Sequence, residues 1–291
     1  MSWWSSWAAN ESVFFWRILA AAFFAIGLWE ILTPSRSLSR SLLTRWGSHT
    51  ALFAVASALS SLILPISLVA AAFAVQKTAY AQYISSHVPY AVRFVAAILL
   101  LDFCRYVGHY ACHTFSPLWR IHAIHHSDNN FDLSTGFRHH PLEALFFQVV
   151  ELLLILATAS PPEAILVGET ASGVQSIVMH ANAAYPPAVD RFLRRFLITP
   201  SFHLVHHSSD MKEQNANFGI LFPWWDRAFN TCIESPQLGE AMQIGLEGVP
   251  ERRALNVWYL LAMPFGRMPG TVEAPKSEEV PATAGADRVA G

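Results

Sequence analysis

Residues 13–32 read V-F-F-W-R-I-L-A-A-A-F-F-A-I-G-L-W-E-I-L, twenty positions with one arginine and one glutamate. About 20 apolar residues are what a helix needs to cross a hydrocarbon layer about 30 Å thick. Inside that layer every backbone N–H and C=O has to be satisfied within the protein, so the run is expected to form a membrane-spanning helix. It ends at Thr33-Pro34. A second apolar run covers about 50–75, with Pro65 as an expected kink, and 76–89 reads as a short polar turn bearing only Lys77. A third starts near Pro89 and continues to His113, and 141–159 with 163–180 reads as a helical hairpin turned by Ser160-Pro161-Pro162. The stretch 254–268 is too short to span and is interrupted by Pro264, which points to an interfacial helix.

The fold class that follows is all-α, a polytopic membrane helical bundle of about four to five spans with a cytoplasmic histidine-rich helical cap. Composition agrees, with 53% apolar residues and only 14% charged. Four regions are expected: membrane spans and loop (1–100), a metal-bearing region with the hairpin (101–235), an interfacial segment (236–270), and a disordered tail (271–291) rich in Pro, Glu, Ala and Gly. Trp3, Trp4 and Trp7 without a basic stretch suggest an aromatic anchor rather than a cleaved leader. A net charge of −2 with no basic stripe argues against nucleic acid as a partner. Three cysteines without a C-x-x-C spacing encode neither an iron–sulfur carrier nor a disulfide framework.

Chemistry is concentrated in the histidines. Residues 109–126 read H-Y-A-C-H-T-F-S-P-L-W-R-I-H-A-I-H-H, five histidines in eighteen positions. His109 and His113 are four apart and share a helix face. Ser116-Pro117 reads as a helix start, followed by His122, His125 and His126 at i, i+3 and i+4. Thr199-Pro200 repeats that start before His203, His206 and His207, so H-A-I-H-H-S-D at 122–128 is echoed by H-L-V-H-H-S-S-D at 203–210. These eight nitrogens exceed what one ion takes, and two ions sharing them is the economical reading. Position 110 is Tyr, which excludes H-E-x-x-H zinc chemistry. Imidazole sites suit iron, zinc, copper or nickel, and spacing alone does not choose among these.

The stretches D-F-C-R-Y-V-G-H-Y-A-C-H (102–113), H-A-I-H-H (122–126), S-T-G-F-R-H-H-P-L-E (134–143), H-A-N (180–182), H-L-V-H-H (203–207) and N-F-G-I-L-F-P-W-W-D (217–226) resemble the fatty acid hydroxylase / sterol desaturase superfamily of integral-membrane di-iron enzymes. The resemblance covers most of 100–230. It implies two Fe ions, with zinc as a substitute in a purified sample, O2 as co-substrate, and hydroxylation or desaturation of an unactivated C–H bond in a lipid. A sterol or hopanoid, sphingolipid, fatty acyl chain, ether lipid or carotenoid fits equally. Aligning R-x-H-P-x-E places a family histidine on His140, leaving His139 outside. The expected ligands are therefore His109, His113, His122, His125, His126, His140, His180, His203, His206 and His207. No haem domain, flavin fingerprint or iron–sulfur motif is encoded, so an external reductase with a cytochrome or a ferredoxin is implied as electron donor.

Four polar residues are expected to support the reaction centre: Asp102, two turns before His109 on one face and expected to fix an imidazole tautomer or else to pair with Arg105, with Asn182, Asn217 and Asp226. Arg138 and Glu143 are expected to orient His140 as a buried pair, and His49 and His87 to be solvated in loops. Glu169, Ser172, Gly173, Ser176 and His180 form one stripe on the hairpin's second helix, which suits close packing and a substrate channel alike. With the N-terminus outside, all but Arg17, Lys77 and Arg93 of the nineteen basic residues fall on the histidine side, which the positive-inside rule makes cytoplasmic. Two other classes compete. A haem or electron carrier with bis-histidine ligation leaves the surplus histidines unexplained. A metal transporter needs acids and histidines through the membrane depth, where only Glu169 fits.

Overall fold

The first apolar run becomes α1 (Glu11–Leu32) in the computed structural model, which describes residues 10–268. At 1.5 Å per residue its 22 residues extend about 33 Å, enough to cross a bilayer core. It stops where the Thr33 hydroxyl and N–H both donate to the Trp29 carbonyl, ahead of Pro34. The tryptophans at 3, 4 and 7 and the tail at 271–291 lie outside the described residues.

The second run differs from expectation at both ends. Helix α2 (Leu42–Ile63) starts eight residues earlier, capped by Ser41, and carries Arg45 and His49 on its first turns. Pro65 does more than kink it. It lies in a break at 64–67, after which Ser67 caps α3 (Leu68–Gln76) by accepting from the Ala70 N–H. The segment expected as a polar turn is a helix, α4 (Ala79–His87), because Thr78 caps it and Ala79, Tyr80, Ala81, Tyr83 and Ile84 favour helix over loop. A 112° bend at Val88-Pro89 leads into α5 (Tyr90–Thr114) and, after Phe115, into α6 (Ser116–His126). Ser116 is the first helical residue and not the cap. The sequence boundary drawn at 100/101 falls inside α5.

The hairpin forms as α7 (Pro141–Thr158) and α8 (Pro162–Met179), with Ala159 in the left-handed region at φ 48° to make the turn. Three segments among the described residues are long and apolar enough to cross a membrane, or four if α4 and α5 count as one bent span. Helix α8 does not qualify on composition, with Glu169, Thr170, Ser172 and Gln175 in its sequence. It is the interior helix instead, packed on by α1, α3, α5 and the turn at 133–137, so its polar groups are shielded from lipid.

Beyond the hairpin come α9 (Pro187–Leu193), α10 (Pro200–His206), α11 (Met211–Gln214) and α12 (Trp224–Ala228). The expected interfacial helix at 254–268 is instead three short pieces: α13 (Glu251–Ala254), α14 (Val257–Ala262) and a 3-10 turn at Met263–Phe265. Leu260, Met263 and Ala254 bury against Ala123 and Ile124 of α6 and Leu52 of α2, while Trp258 and Phe265 face outward. The segment thus roofs the histidine helices. No strand occurs among the described residues apart from two isolated bridges.

Candidate metal centre

Nine of the ten expected histidines meet. His109 and His113 close α5, His122, His125 and His126 close α6, His180 follows the last turn of α8, and His203, His206 and His207 end α10. Their ring nitrogens fall into two sets, one of His109, His113, His122, His126 and His206, the other of His125, His180, His203 and His207, with the ligand atoms of each within 4.8 Å of one another. The partition follows from helix geometry. Each H-x-x-H-H helix gives its i, i+4 pair to one set and its intervening histidine to the other: α6 sends His122 and His126 to the first and His125 to the second. Helix α10 does the converse with His203, His207 and His206.

The rings are held in tautomers that aim Nε2 inward. The Nδ1–H of His109 donates to the Phe218 carbonyl at 2.8 Å, that of His180 to Ser176 at 2.6 Å, and that of His206 to Ala216 at 2.7 Å. His122 Nδ1 meets Glu143 Oε1 at 2.7 Å and His113 Nδ1 meets Asn215 Oδ1 at 3.3 Å. A carbonyl can only accept, so the opposing Nε2 of a neutral ring is a bare lone pair. Yet His109 and His122, both with Nδ1 so engaged, bring their Nε2 atoms to 3.1 Å. Lone pairs so placed repel unless a cation lies between. Two nitrogens each about 2.1 Å from one ion stand roughly 3.0–3.4 Å apart for octahedral or tetrahedral angles. The Nε2 atoms of His113 and His206 are buried and without a hydrogen bond. The donor set therefore fits two imidazole-bound metal ions. Burial pushes His126, His203, His206 and His207 well below the usual histidine range and His180 to about 3, which keeps them in the neutral form that a metal requires.

His140 is not brought to the cluster. Pro141 starts α7, so His140 is its cap: Nδ1 accepts from the Leu142 N–H at 3.1 Å and Nε2 lies 3.3 Å from the Leu261 carbonyl. His139, set aside from sequence, is the nearer of the two. Its ring stacks on His125 with centroids 5.2 Å apart, and its nitrogens contact Glu143 and the Gly136 carbonyl at 3.1 Å each. Burial alone would lower its pKa, but the Glu143 carboxylate raises it.

The polar residues hold loops rather than reach reacting atoms. Asp102 touches no imidazole: it accepts from the Leu221 N–H at 2.9 Å and the Trp225 indole at 2.8 Å, tying α5 to the segment before α12. Asp226 accepts from the Phe218 and Gly219 N–H groups and the Thr231 hydroxyl, and burial pushes it up to about 6. Asn217, at φ 57°, binds the backbone of Phe202 and Ile233. Asn182 brackets the backbone of Arg36. Asn217 and Asp226 fix the loop whose carbonyls, those of Ala216 and Phe218, orient His206 and His109. Asp102 does not pair with Arg105 either; Arg105 binds Glu151 and Glu169. Arg138 and Glu143 are separate: Glu143 holds His122, whereas Arg138 donates to the carbonyls of Ile124 and Ala254 and to Ser127.

A second polar layer escaped the sequence reading. Arg45 makes a fork to Asp128 at 2.8 and 2.7 Å and also binds Asp132. His49 is fully buried between Ser134 and Arg138, not solvated; His87 is exposed as expected. Burial would raise Asp128, but Arg45 and Arg138 hold it far below the usual carboxylate range. Glu30 accepts from the Leu133 and Asn182 N–H groups, joining α1 to the turn at 133–137 and to the residue after His180. A charge inside an apolar run, as at Glu30, was the available signal.

Below the rings lies a cavity of about 850 Å³ between α1, α2, α5, α7 and α8. The whole α8 stripe, Glu169, Ser172, Gly173, Ser176 and His180, lines it, and Gly173 also lets α1 approach, since a Cβ there would stand 3.2 Å from Leu19.

A profile described as fatty acid hydroxylase matches residues 94–231, the stretch that contains all nine clustered histidines. Over that stretch the chain is similar to the fatty acid hydroxylase family. Among curated proteins it is 31% identical over 140 residues to an alkylglycerol monooxygenase of Caenorhabditis elegans, covering 47% of this chain and 26% of that protein. It is 28% identical over 180 residues to the ornithine lipid hydroxylase OlsE of Rhizobium tropici, covering 62% of this chain and 52% of that one. The Homo sapiens alkylglycerol monooxygenase matches at 26% over 142 residues, covering 47% of this chain and 29% of that protein. The chain thus spans from about a quarter to half the length of these relatives. No solved structure matches it.

Proposed function

We propose that the protein is a membrane-bound, O2-dependent di-iron oxidoreductase that hydroxylates an unactivated C–H bond of a lipid. The observation that carries this reading is the pair of buried imidazole sets, five and four nitrogens, opening onto a cavity bordered by membrane-length helices. Bound there, two irons supply the two-electron activation of dioxygen that no amino-acid side chain can perform. His109, His113, His122, His126 and His206 would hold one ion, and His125, His180, His203 and His207 the other. The relatives' names favour hydroxylation over desaturation, and the two lipids they name share a polar head on long apolar chains.

The chain's own groups do the positioning. Glu143, Asn215 and the carbonyls of Phe218, Ser176 and Ala216 fix five ring tautomers. The side chains of Leu19, Phe15 and Phe137 form the apolar wall of the cavity, which holds the alkyl chain and limits water at the reacting position. Electrons come from an external reductase with a cytochrome or ferredoxin, and the positive-inside charge bias supports a cytoplasmic position for the histidines.

The test is lipid analysis of cells with and without the gene, grown under ¹⁸O2. A lipid that gains one labelled oxygen only in the presence of the gene, and no longer does with His122→Ala, supports the proposal. An unchanged lipid profile, or oxygen derived from water, refutes it.

A further inference from the structure

The cavity ends opposite the histidines in a charged floor. Arg105 Nε donates to Glu151 Oε1 at 2.6 Å, and its Nη2 pairs with Glu169, so one guanidinium from α5 faces carboxylates from α7 and α8. Glu151 is eight residues past Glu143 and Glu169 eleven before His180, which puts the floor about 12–16 Å from the histidine level. One cation against two carboxylates leaves a formal surplus of one negative charge. Each carboxylate uses a single oxygen toward Arg105, and among the described residues the second oxygen accepts no hydrogen bond. Glu169 is 25% exposed, toward the cavity it lines.

Ser172 adds an independent observation. It is 6% exposed, lies one turn beyond Glu169, lines the same cavity, and its hydroxyl has no partner among the described residues. A tie between three helices accounts for the ion pairs alone. It leaves the Ser172 hydroxyl buried without a partner at membrane depth, a cost that a bound group removes, and it leaves the second carboxylate oxygens open to the same group.

We propose that Arg105, Glu151, Glu169 and Ser172 form a recognition site for a hydrogen-bond-donating group, a hydroxyl or an ammonium, carried on the lipid at the far end of the chain that reaches the histidines. The site selects donor-bearing lipids over ones that lack the donor, because an unfilled floor leaves its acceptors unpaired. The inference rests on the proposed oxygenase reading only for which carbon is attacked; the binding itself is separable.

The experiment is equilibrium binding to the solubilised full chain, read by native mass spectrometry, of dodecan-1-ol, dodecylamine and dodecyl methyl ether, with metal content measured in parallel. At least one donor probe is expected to bind about tenfold or more tightly than the ether. The stronger donor probe identifies the group as alcohol or amine. Glu169→Gln and Ser172→Ala are expected to reduce donor probes to the level of the ether without changing metal content. Ser172→Ala removes no ion pair, so it carries the test if Glu169→Gln fails to fold. Equal binding of all three probes, or variants that bind like the wild type, would overturn the proposal. Donor preference in a protein holding no metal keeps the floor and removes the oxygenase reading; its absence in a protein holding two ions does the reverse.

Discussion

Glu143 is the residue on which the orientation of His122 depends. Its carboxylate accepts from Nδ1 at 2.7 Å, which frees Nε2 for the first set. Replacing such a partner typically costs 10–100-fold in metal affinity, so Glu143→Ala is expected to lose metal at chelator concentrations about tenfold or more below those that strip the wild type. Asp128 belongs to the layer behind the ligands. Its carboxyl is held below the ordinary value of 3.8, so its contribution to stability is complete above that pH and is lost as pH falls below it. The loss is on the order of 1 kcal/mol per pH unit. Thermal unfolding in detergent between pH 2.5 and 7 is expected to show this acid slope, and Asp128→Asn to flatten it while lowering stability at pH 7. At this scale the sequence told most about histidines, whose spacing is written in the chain. It told least about Asp102 and Arg138, since a buried charge advertises its cost and not its partner.

Elements place the rings, and small residues let the elements approach. The turn at 133–137 packs under α8, and a Cβ on Gly136 would stand 2.7 Å from the Ser176 carbonyl, the group that holds His180. Backbone cannot yield there as a flexible side chain would. Gly136→Ala is therefore expected to lower the unfolding midpoint by several degrees and to reduce metal in the second set, as followed by thermal melting and metal analysis. Helix starts at Pro117 and Pro200 were readable, because proline at the first turn removes a donor that has no partner anyway. The same rule explains the misassigned histidine. In R-H-H-P, the residue before proline becomes the cap, so His140 turns to its own helix and His139 is left beside the cluster. Helix α4 was unreadable as helix because nine residues, little more than two turns, carry little periodic signal.

Across the whole molecule, spans that lipid would accept surround one helix that it would not. Helices α1, α2 with α3, α5 and α7 supply apolar surface, and α8 inside them carries the polar stripe from the charged floor to His180. Hydropathy revealed the outer helices, but the interior position of α8 depends on long-range packing that no local pattern encodes. The roof formed by residues 246–268 was equally hidden, as its buried leucine and methionines face α6 only after folding. Removing that roof's anchor, Leu260→Ala, is expected to cost about 2–5 kcal/mol, measured by denaturant or thermal unfolding of the solubilised protein. The central claim is that the two histidine sets hold two ions. Its most direct test is metal stoichiometry per chain in protein purified from iron-supplemented cells, for the wild type, His126→Ala, His207→Ala and His140→Ala. Two ions in the wild type and in His140→Ala, with fewer in His126→Ala and His207→Ala, is the predicted result. One ion or none in the wild type, or two retained in His126→Ala and His207→Ala, would contradict it.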